Sequence, residues 1–156
     1  MRVLEVAAAT VAAFLIQTLG GRYFWPLREY LDLFLLAAAC LGLVRGRVVG
    51  LCTGTAAGLV QDSFSGGMLG LNGLSKTIVG YLAGIAGHRL IIRGWPMRFF
   101  FFSVASAADL FILALVGQAI ERPAVIGEGI TPLYLCLGNG LAGSLILGGW
   151  TRFQQG

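Results

Sequence analysis

Two opposite charges stand inside a stretch of this sequence that is otherwise apolar or made of small residues. Residues 50–84 contain Asp62 and Lys76 and no other aspartate, glutamate, lysine or arginine, and glycines recur through them at short intervals. A charged side chain in a hydrocarbon environment costs several kcal/mol unless it is paired or hydrated. The chain is therefore restricted to folds in which these two side chains find partners inside the protein or reach water.

The composition predicts that lipid is the main solvent of the folded chain. Of its 156 residues, 57% are hydrophobic and 12% are charged, and the mean hydropathy is +0.84. A typical soluble domain carries about 25% charged residues. The net charge of +4 comes mainly from short arginine clusters between apolar runs. Since no basic face with interleaved aromatic residues exists, nucleic-acid binding is not expected.

Apolar runs divide the chain into six segments, and a transmembrane helix needs about 20 mostly apolar residues. We therefore predict an all-α polytopic membrane protein, with six transmembrane helices in one bundle and a single domain over residues 1–156. The second and third segments are short for membrane spans. The predicted spans are residues 3–20, 30–44, 48–64, 71–92, 99–120 and 132–150.

The distribution of arginine predicts the orientation in the membrane. Basic residues accumulate in the cytoplasmic loops of membrane proteins, and the larger group of arginines lies on the cytoplasmic side when both termini are cytoplasmic, so we predict this orientation. The inner segments then hold Arg2, Arg45, Arg47, Arg89, Arg93, Arg98 and Arg152, and the outer segments hold Arg22, Arg28 and Arg122.

The two charges of the glycine-rich stretch fall on neighbouring spans. Asp62 lies near the end of the third span, and Lys76 lies about 8 Å into the fourth, at about 1.5 Å per residue. We expect an ion pair across this hairpin, completed by hydrogen bonds from Gln61, Asn72 and Ser75 and with Gly70 in the turn. Two alternatives stay open: Lys76 extends to the outer surface while Asp62 is hydrated there, or the residues form a ligand or ion site.

Glycines four residues apart predict close approach of helices. Gly50, Gly54 and Gly58 share one face of the third span, and Gly80 and Gly84 repeat the spacing on the fourth. Small residues let helix backbones approach each other in lipid, where no hydrophobic force drives association. Packing within this bundle is the favoured interpretation, and a docking face for a partner's helix is the alternative.

The remaining polar residues do not indicate catalysis. Asp32 and Asp109 lie within predicted spans without an evident role, and a proton or ion pathway usually needs several ionisable groups in line. The one histidine, His88, has no nucleophile and no metal-ligand set near it in sequence. We therefore expect no catalytic residues, no metal and no cofactor, and a protein that is not an enzyme.

Four segments in the centre of the chain carry a family resemblance. They read YLDLFLL at 30–36, RGRVVGL at 45–51, GLVQDSFSGGMLGLNGLSK at 58–76 and GYLAG at 80–84. An arginine-containing turn followed by this aspartate- and glycine-rich hairpin resembles the bacterial rod shape-determining protein MreD family.

The resemblance implies a function that the residue pattern alone does not. It implies a non-catalytic scaffold, located in the bacterial inner membrane. This scaffold belongs to the cell-elongation complex, which makes lateral cell-wall peptidoglycan. The partners it implies are the bitopic protein MreC and, through MreC, the MreB filament, the RodA glycosyltransferase and its penicillin-binding transpeptidase. The resemblance also implies a fold similar to that of the substrate-binding subunits of energy-coupling-factor vitamin transporters. The alternative function is therefore that of such a substrate-binding subunit.

Overall fold

The described part of the chain is entirely helical. In the computed structural model, the backbone is described for residues 2–23, 31–65, 69–89, 94–120 and 130–153. These ranges contain six helices and no strand, which confirms the all-helical prediction. The helices are α1 (Arg2–Tyr23), α2 (Leu33–Arg45), α3 (Arg47–Ser65), α4 (Leu71–Arg89), α5 (Trp95–Ala119) and α6 (Thr131–Phe153).

Two helix starts differ from the predicted spans by more than one residue, and each has a local cause. Helix α2 begins at Leu33 instead of residue 30 because the Asp32 carboxylate caps it, accepting a hydrogen bond from the Leu35 N–H at 3.0 Å. Helix α5 begins at Trp95 instead of residue 99. Gly94, with φ of 86°, is the N-cap residue, and Pro96 lies in the first turn of the helix, where its missing N–H is tolerated. The predicted end of the fourth span, residues 90–92, lies outside the described residues.

A single residue separates α2 from α3. Gly46 has φ of 98°, a left-handed conformation that favours glycine, and its N–H donates to the Gly42 carbonyl at 2.9 Å. The reversal folds α3 back along α2. A side-chain carbon added at Gly50 would lie 2.8 Å from the Gly42 Cα, so the two helices approach each other here almost backbone to backbone.

Helices α2, α3 and α4 form a tightly packed central trio. A Cβ atom added at Gly50 would lie 2.1 Å from the Gly80 carbonyl oxygen, and one at Gly54 would lie 2.1 Å from that of Lys76. At Gly58 the nearest atom is the Asn72 carbonyl oxygen, 2.5 Å away. The face that bears Gly50, Gly54 and Gly58 is thus covered by α4, and this geometry leaves no room there for a partner's helix.

The other three helices surround α2. Helix α1 packs on α2 and α3, α5 packs on α4 and α2, and α6 packs on α5 and α2. Each of the three hydrophobic clusters contains a buried residue of α2, namely Leu36, Phe34 or Leu35. Helix α2 is therefore the centre of the bundle, although it is the shortest of the six helices.

Hydropathy along the helices separates them into two groups. The helices long and apolar enough to cross a membrane are α5 and residues 131–150 of α6, while residues 6–18 and 33–45 are shorter apolar helices. Helices α3 and α4 fail this test because glycines and polar residues occupy their buried faces. Between their terminal residues, both helices expose large hydrophobic side chains, among them Leu51, Leu59, Phe64, Ile78 and Leu82.

We predict that Gly54→Ala destabilises the protein strongly. The new Cβ would meet the Lys76 carbonyl oxygen at 2.1 Å and its carbon at 2.5 Å, and these backbone atoms can move only if α3 and α4 separate. Overpacking of this kind costs about 1–3 kcal/mol or more. The measurement is the free energy of unfolding of the purified protein in mixed micelles.

The matched control is Gly149→Ala, because nothing lies within 4 Å of a Cβ at Gly149 on α6. This variant should unfold like the parent protein. Equal stability of both variants would show that α3 and α4 are not in backbone contact at Gly54.

Candidate functional site

The Lys76 ammonium is fully enclosed by the protein. The residue has 0% relative exposure, and its Nζ atom lies 2.9 Å from Asp32 Oδ2 and 3.5 Å from Asp109 Oδ2. Nζ also donates to Asn72 Oδ1 at 3.2 Å. One ammonium therefore joins carboxylates from the start of α2 and the middle of α5, while its own backbone belongs to α4. This geometry excludes the alternative in which Lys76 extends to the surface.

The structure shows that the prediction of an ion pair between Asp62 and Lys76 is wrong. The Asp62 carboxylate accepts hydrogen bonds from the N–H groups of Gly70 (2.8 Å), Gly73 (3.1 Å) and Asn72 (3.2 Å), and from the Asn72 side-chain amide at 2.8 Å. Asp62 and Lys76 are connected only through Asn72, whose amide binds both side chains. The predicted residues do form a hairpin core, but with different pairings.

The physical reason for this pairing is the start of α4. The first N–H groups of a helix have no partners within it, and they create a positive potential that attracts a carboxylate. A side chain at the N-cap position usually binds them, but that position is Gly70, with φ of 100° and no side chain. Asp62 reaches across from α3 and supplies the missing carboxylate.

Asp32 is the residue at which most elements meet. Its Oδ1 caps α2 through Leu35, and its Oδ2 accepts from Lys76 and, at 3.5 Å, from Gln61 Nε2 on α3. The backbone N–H of Asp32 donates to Asn139 Oδ1 at 2.9 Å. The start of α2 is thereby attached to α3, α4 and α6.

Asp109 places a second carboxylate beside Lys76. Its Oδ1 lies 2.5 Å from Ser75 Oγ, and its backbone oxygen lies 3.1 Å from the same hydroxyl. Adjacent residues of α4, Ser75 and Lys76, thus bind both oxygens of one carboxylate on α5. This arrangement fixes the rotation of α4 against α5 more precisely than a single contact could.

Two further side chains bring α1 and α6 into the same arrangement. Asn139 donates through Nδ2 to Ser106 Oγ at 2.9 Å, which links α6 to α5. Gln17 of α1 accepts from the Leu33 N–H at 3.0 Å and donates to the Leu31 carbonyl at 3.3 Å. We call the whole set the polar network. Its members are Gln17, Asp32, Gln61, Asp62, Asn72, Ser75, Lys76, Ser106, Asp109 and Asn139.

The polar network is suited to holding helices in place. Buried polar groups that satisfy one another make a packing arrangement specific, because any other arrangement would leave some of them unpaired. Within the residues that the structure describes, no group of three histidine, cysteine, aspartate or glutamate side chains could hold a metal ion. The carboxylates of the network instead bind an ammonium, amides, hydroxyls and helix N–H groups.

Sequence reasoning named most of these residues but missed the main contact. The sequence predicts that Asp32 and Asp109 are buried but does not indicate their role, and in the structure they are the two ion-pair partners of Lys76. Charge balance was the signal that could have found these partners. Lys76 is the one lysine of the chain, and it needs a counter-charge wherever it is buried. Gly80 and Gly84 were placed on a packing face, and the structure puts them against Gly50 and Arg47.

The fold and the polar network together define a class of protein. An all-helical chain that buries an ion-paired lysine with two aspartates, while many large apolar side chains are exposed on its outside, has the organisation of a helical membrane protein. A family model described as rod shape-determining protein MreD matches residues 6–137. The chain belongs to this family, and its role in the determination of rod shape follows.

The other comparisons add no relative. No curated protein and no solved structure matches the chain significantly. The family match covers most of the chain, including α1 to α5 and the start of α6. It gives no support to the alternative of a vitamin-transporter subunit.

We predict that Lys76→Met destabilises the fold by about 3–5 kcal/mol, because removing one partner of a buried ion pair leaves uncompensated charge. Here the carboxylates of Asp32 and Asp109 would both lose their ammonium partner. Adding Asp109→Asn to Lys76→Met should recover part of the loss. The measurement is unfolding in mixed micelles, followed by tryptophan fluorescence.

Double-mutant cycles distinguish the observed pairing from the one expected from sequence. The coupling energy between Lys76→Met and Asp32→Asn should exceed that between Lys76→Met and Asp62→Asn, because Asp32 contacts the ammonium directly and Asp62 reaches it only through Asn72. A larger coupling with Asp62 would contradict the observed arrangement.

Proposed function

We propose that this protein is a non-catalytic integral-membrane scaffold of the bacterial complex that synthesises lateral peptidoglycan and maintains rod shape. The observation that carries the proposal is the MreD family match over residues 6–137. In this proposal the chain is a single six-helix transmembrane domain of the inner membrane. It binds MreC and, through it, acts on the MreB filament, the RodA glycosyltransferase and the penicillin-binding transpeptidase.

Six membrane passes are supported by the distribution of polar and apolar side chains. Helices α3 and α4 are not apolar as a whole, yet Asp62, Ser75 and Lys76 are buried. The exposed residues of the two helices include Leu51, Leu74 and Ile78. A helix can cross a bilayer with buried polar residues if the protein itself satisfies them. The polar network does so for Asp62 and Lys76.

The short central helix α2 also fits this proposal. Its 13 residues extend about 20 Å, less than the roughly 30 Å thickness of the hydrocarbon core. A helix end in hydrocarbon must have its backbone groups satisfied by protein. The start of α2 meets this condition, because Gln17, Asp32 and Asn139 bind its N-terminal backbone or the residues just before it.

The mechanism that follows is the presentation of fixed helix faces to partners. The polar network and the glycine contacts hold α2, α3 and α4 in one arrangement, so their outer surfaces keep a constant shape. A rigid platform binds a partner helix with little loss of its own conformational freedom, which favours affinity. No bond needs to be made or broken in this role.

The test of function is complementation together with purification of the complex. We expect this chain, co-expressed with the MreC encoded in its own genome, to restore rods in a rod-shaped bacterium depleted of its MreD and MreC. We also expect tagged protein to retain that MreC in mild detergent. Cells that stay round although the chain is inserted, with no MreC recovered, would refute the proposal.

Labelling of single cysteines tests the orientation. In a chain with Cys40, Cys52 and Cys136 replaced by alanine, we predict that Leu69→Cys reacts with an impermeant maleimide in intact spheroplasts. Trp95→Cys should react only after permeabilisation. Both side chains are exposed, at 70% and 54%. Leu69 lies two residues before α4, and Trp95 is the first residue of α5. The reverse pattern would overturn cytoplasmic termini, and equal labelling of both would overturn the membrane crossing of α4.

A further inference from the structure

A lateral cleft lies between α1 and α6, on the surface of α2. Both helices pack on α2, but within the described ranges they do not contact each other. The cleft has a volume of about 200 Å³. Residues from all three helices line it, including Ala12 and Ala13 of α1, Leu36, Cys40 and Val44 of α2, and Leu147 of α6.

The walls of the cleft are suited to hydrocarbon. The residues that line it are alanine, isoleucine, leucine, valine, cysteine and tryptophan, so they offer no charge, amide or hydroxyl group. Water in such a space would lack the two to four polar partners that it needs. The cleft follows α2 from Leu33 to Val44, about 16 Å at 1.5 Å per residue. That length equals about half of the roughly 30 Å hydrocarbon core, which is one leaflet.

The two ends of the cleft differ in charge. Beside Leu33 lies Asp32, whose carboxylate is already bound to Lys76. The opposite end, at Val44 and Trp150, adjoins the exposed Arg45. Arg98 of α5 lies near the same end of α6, 3.1 Å from the position of a Cβ at Gly148, but neither residue lines the cleft. Arginine forms strong, directed hydrogen bonds with phosphate, and tryptophan favours the membrane interface.

We propose that this cleft binds one phospholipid with an anionic headgroup. One acyl chain lies along α2 between α1 and α6, and the phosphate lies at the end of α2 near Arg45. The proposal rests on the membrane embedding proposed above, in which this end faces the cytoplasmic leaflet. A transmembrane helix, about 10 Å wide with its side chains, is a poorer fit to a cleft of this volume.

The test uses phosphatidylglycerol with a photoactivatable diazirine in its acyl chain, incorporated into vesicles that contain the full chain. After irradiation, the labelled peptides are identified by mass spectrometry. We expect label concentrated on residues 9–16, 33–44 and 146–150. Label distributed evenly over exposed residues elsewhere, such as Phe100 and Phe111 of α5, would indicate bulk lipid contact only and would overturn the proposal.

A cleft-filling variant sharpens the test. Ala12 is exposed and lines the cleft, so Ala12→Phe should reduce labelling of residues 33–44 at least fivefold. Ala7→Phe is the matched control, because Ala7 is exposed on α1 but does not line the cleft. Equal labelling in both variants would overturn the proposal. If Ala12→Phe does not fold, the labelling map of the parent protein decides alone.

The headgroup is tested separately with Arg45→Gln, and Arg89→Gln serves as the control on α4. The parent protein should be labelled several-fold more by the phosphatidylglycerol probe than by a phosphatidylcholine probe of the same chain, and Arg45→Gln should abolish this preference. An unchanged preference would overturn the placement of the phosphate.

The two proposals fail in different ways. Loss of cleft labelling with intact restoration of rods would remove the lipid site and leave the scaffold function. Crosslinking of Cys40 to MreC in the absence of lipid labelling would show that a protein helix is the occupant, which also overturns the lipid site.

Discussion

One buried ammonium group determines how the helices of this protein meet. Lys76 has no exposed surface, so its charge must be balanced inside the protein, and the balance comes from Asp32 and Asp109 on two other elements. Each carboxylate is held in turn, Asp109 by Ser75 and Asp32 by the start of α2. Because an unpaired charge would cost several kcal/mol in such surroundings, an arrangement of helices that separates these groups is strongly disfavoured.

Close backbone approach makes this ion-pair arrangement possible. The glycines of α3 bring α4 so near that an added Cβ at Gly54 would overlap the carbonyl group of Lys76. At that separation, Asp62 of α3 reaches the unpaired N–H groups at the start of α4 and replaces a missing N-cap side chain. The glycine contacts and the polar network therefore act together. Small residues let the helices approach each other, and polar residues fix their register. The apolar cleft between α1 and α6 lies on the surface of α2, away from the contact of α3 with α4.

Particular residues show how far the sequence could be interpreted. The apolar runs predicted all six helices, since each helix overlaps one run. The glycine spacing indicated close helix contact. The predicted partner of Lys76 was wrong. Nearness in sequence favoured Asp62, but the N-terminus of α4 at Gly70 binds that carboxylate instead. Asp32 is 44 residues before Lys76 and Asp109 is 33 residues after it. No local periodicity reports such distant contacts.

The sequence by itself determined the helical class, the membrane character and the family, because these depend on composition, on the length of apolar runs and on local motifs. It also required that a lone lysine and several aspartates be neutralised. Only the tertiary structure decided which carboxylate binds which donor, that α2 is the central helix, and that α1 and α6 leave a cleft between them. Those outcomes depend on the rotation and spacing of helices that are far apart in the chain, and packing sets both quantities only when all six helices are together.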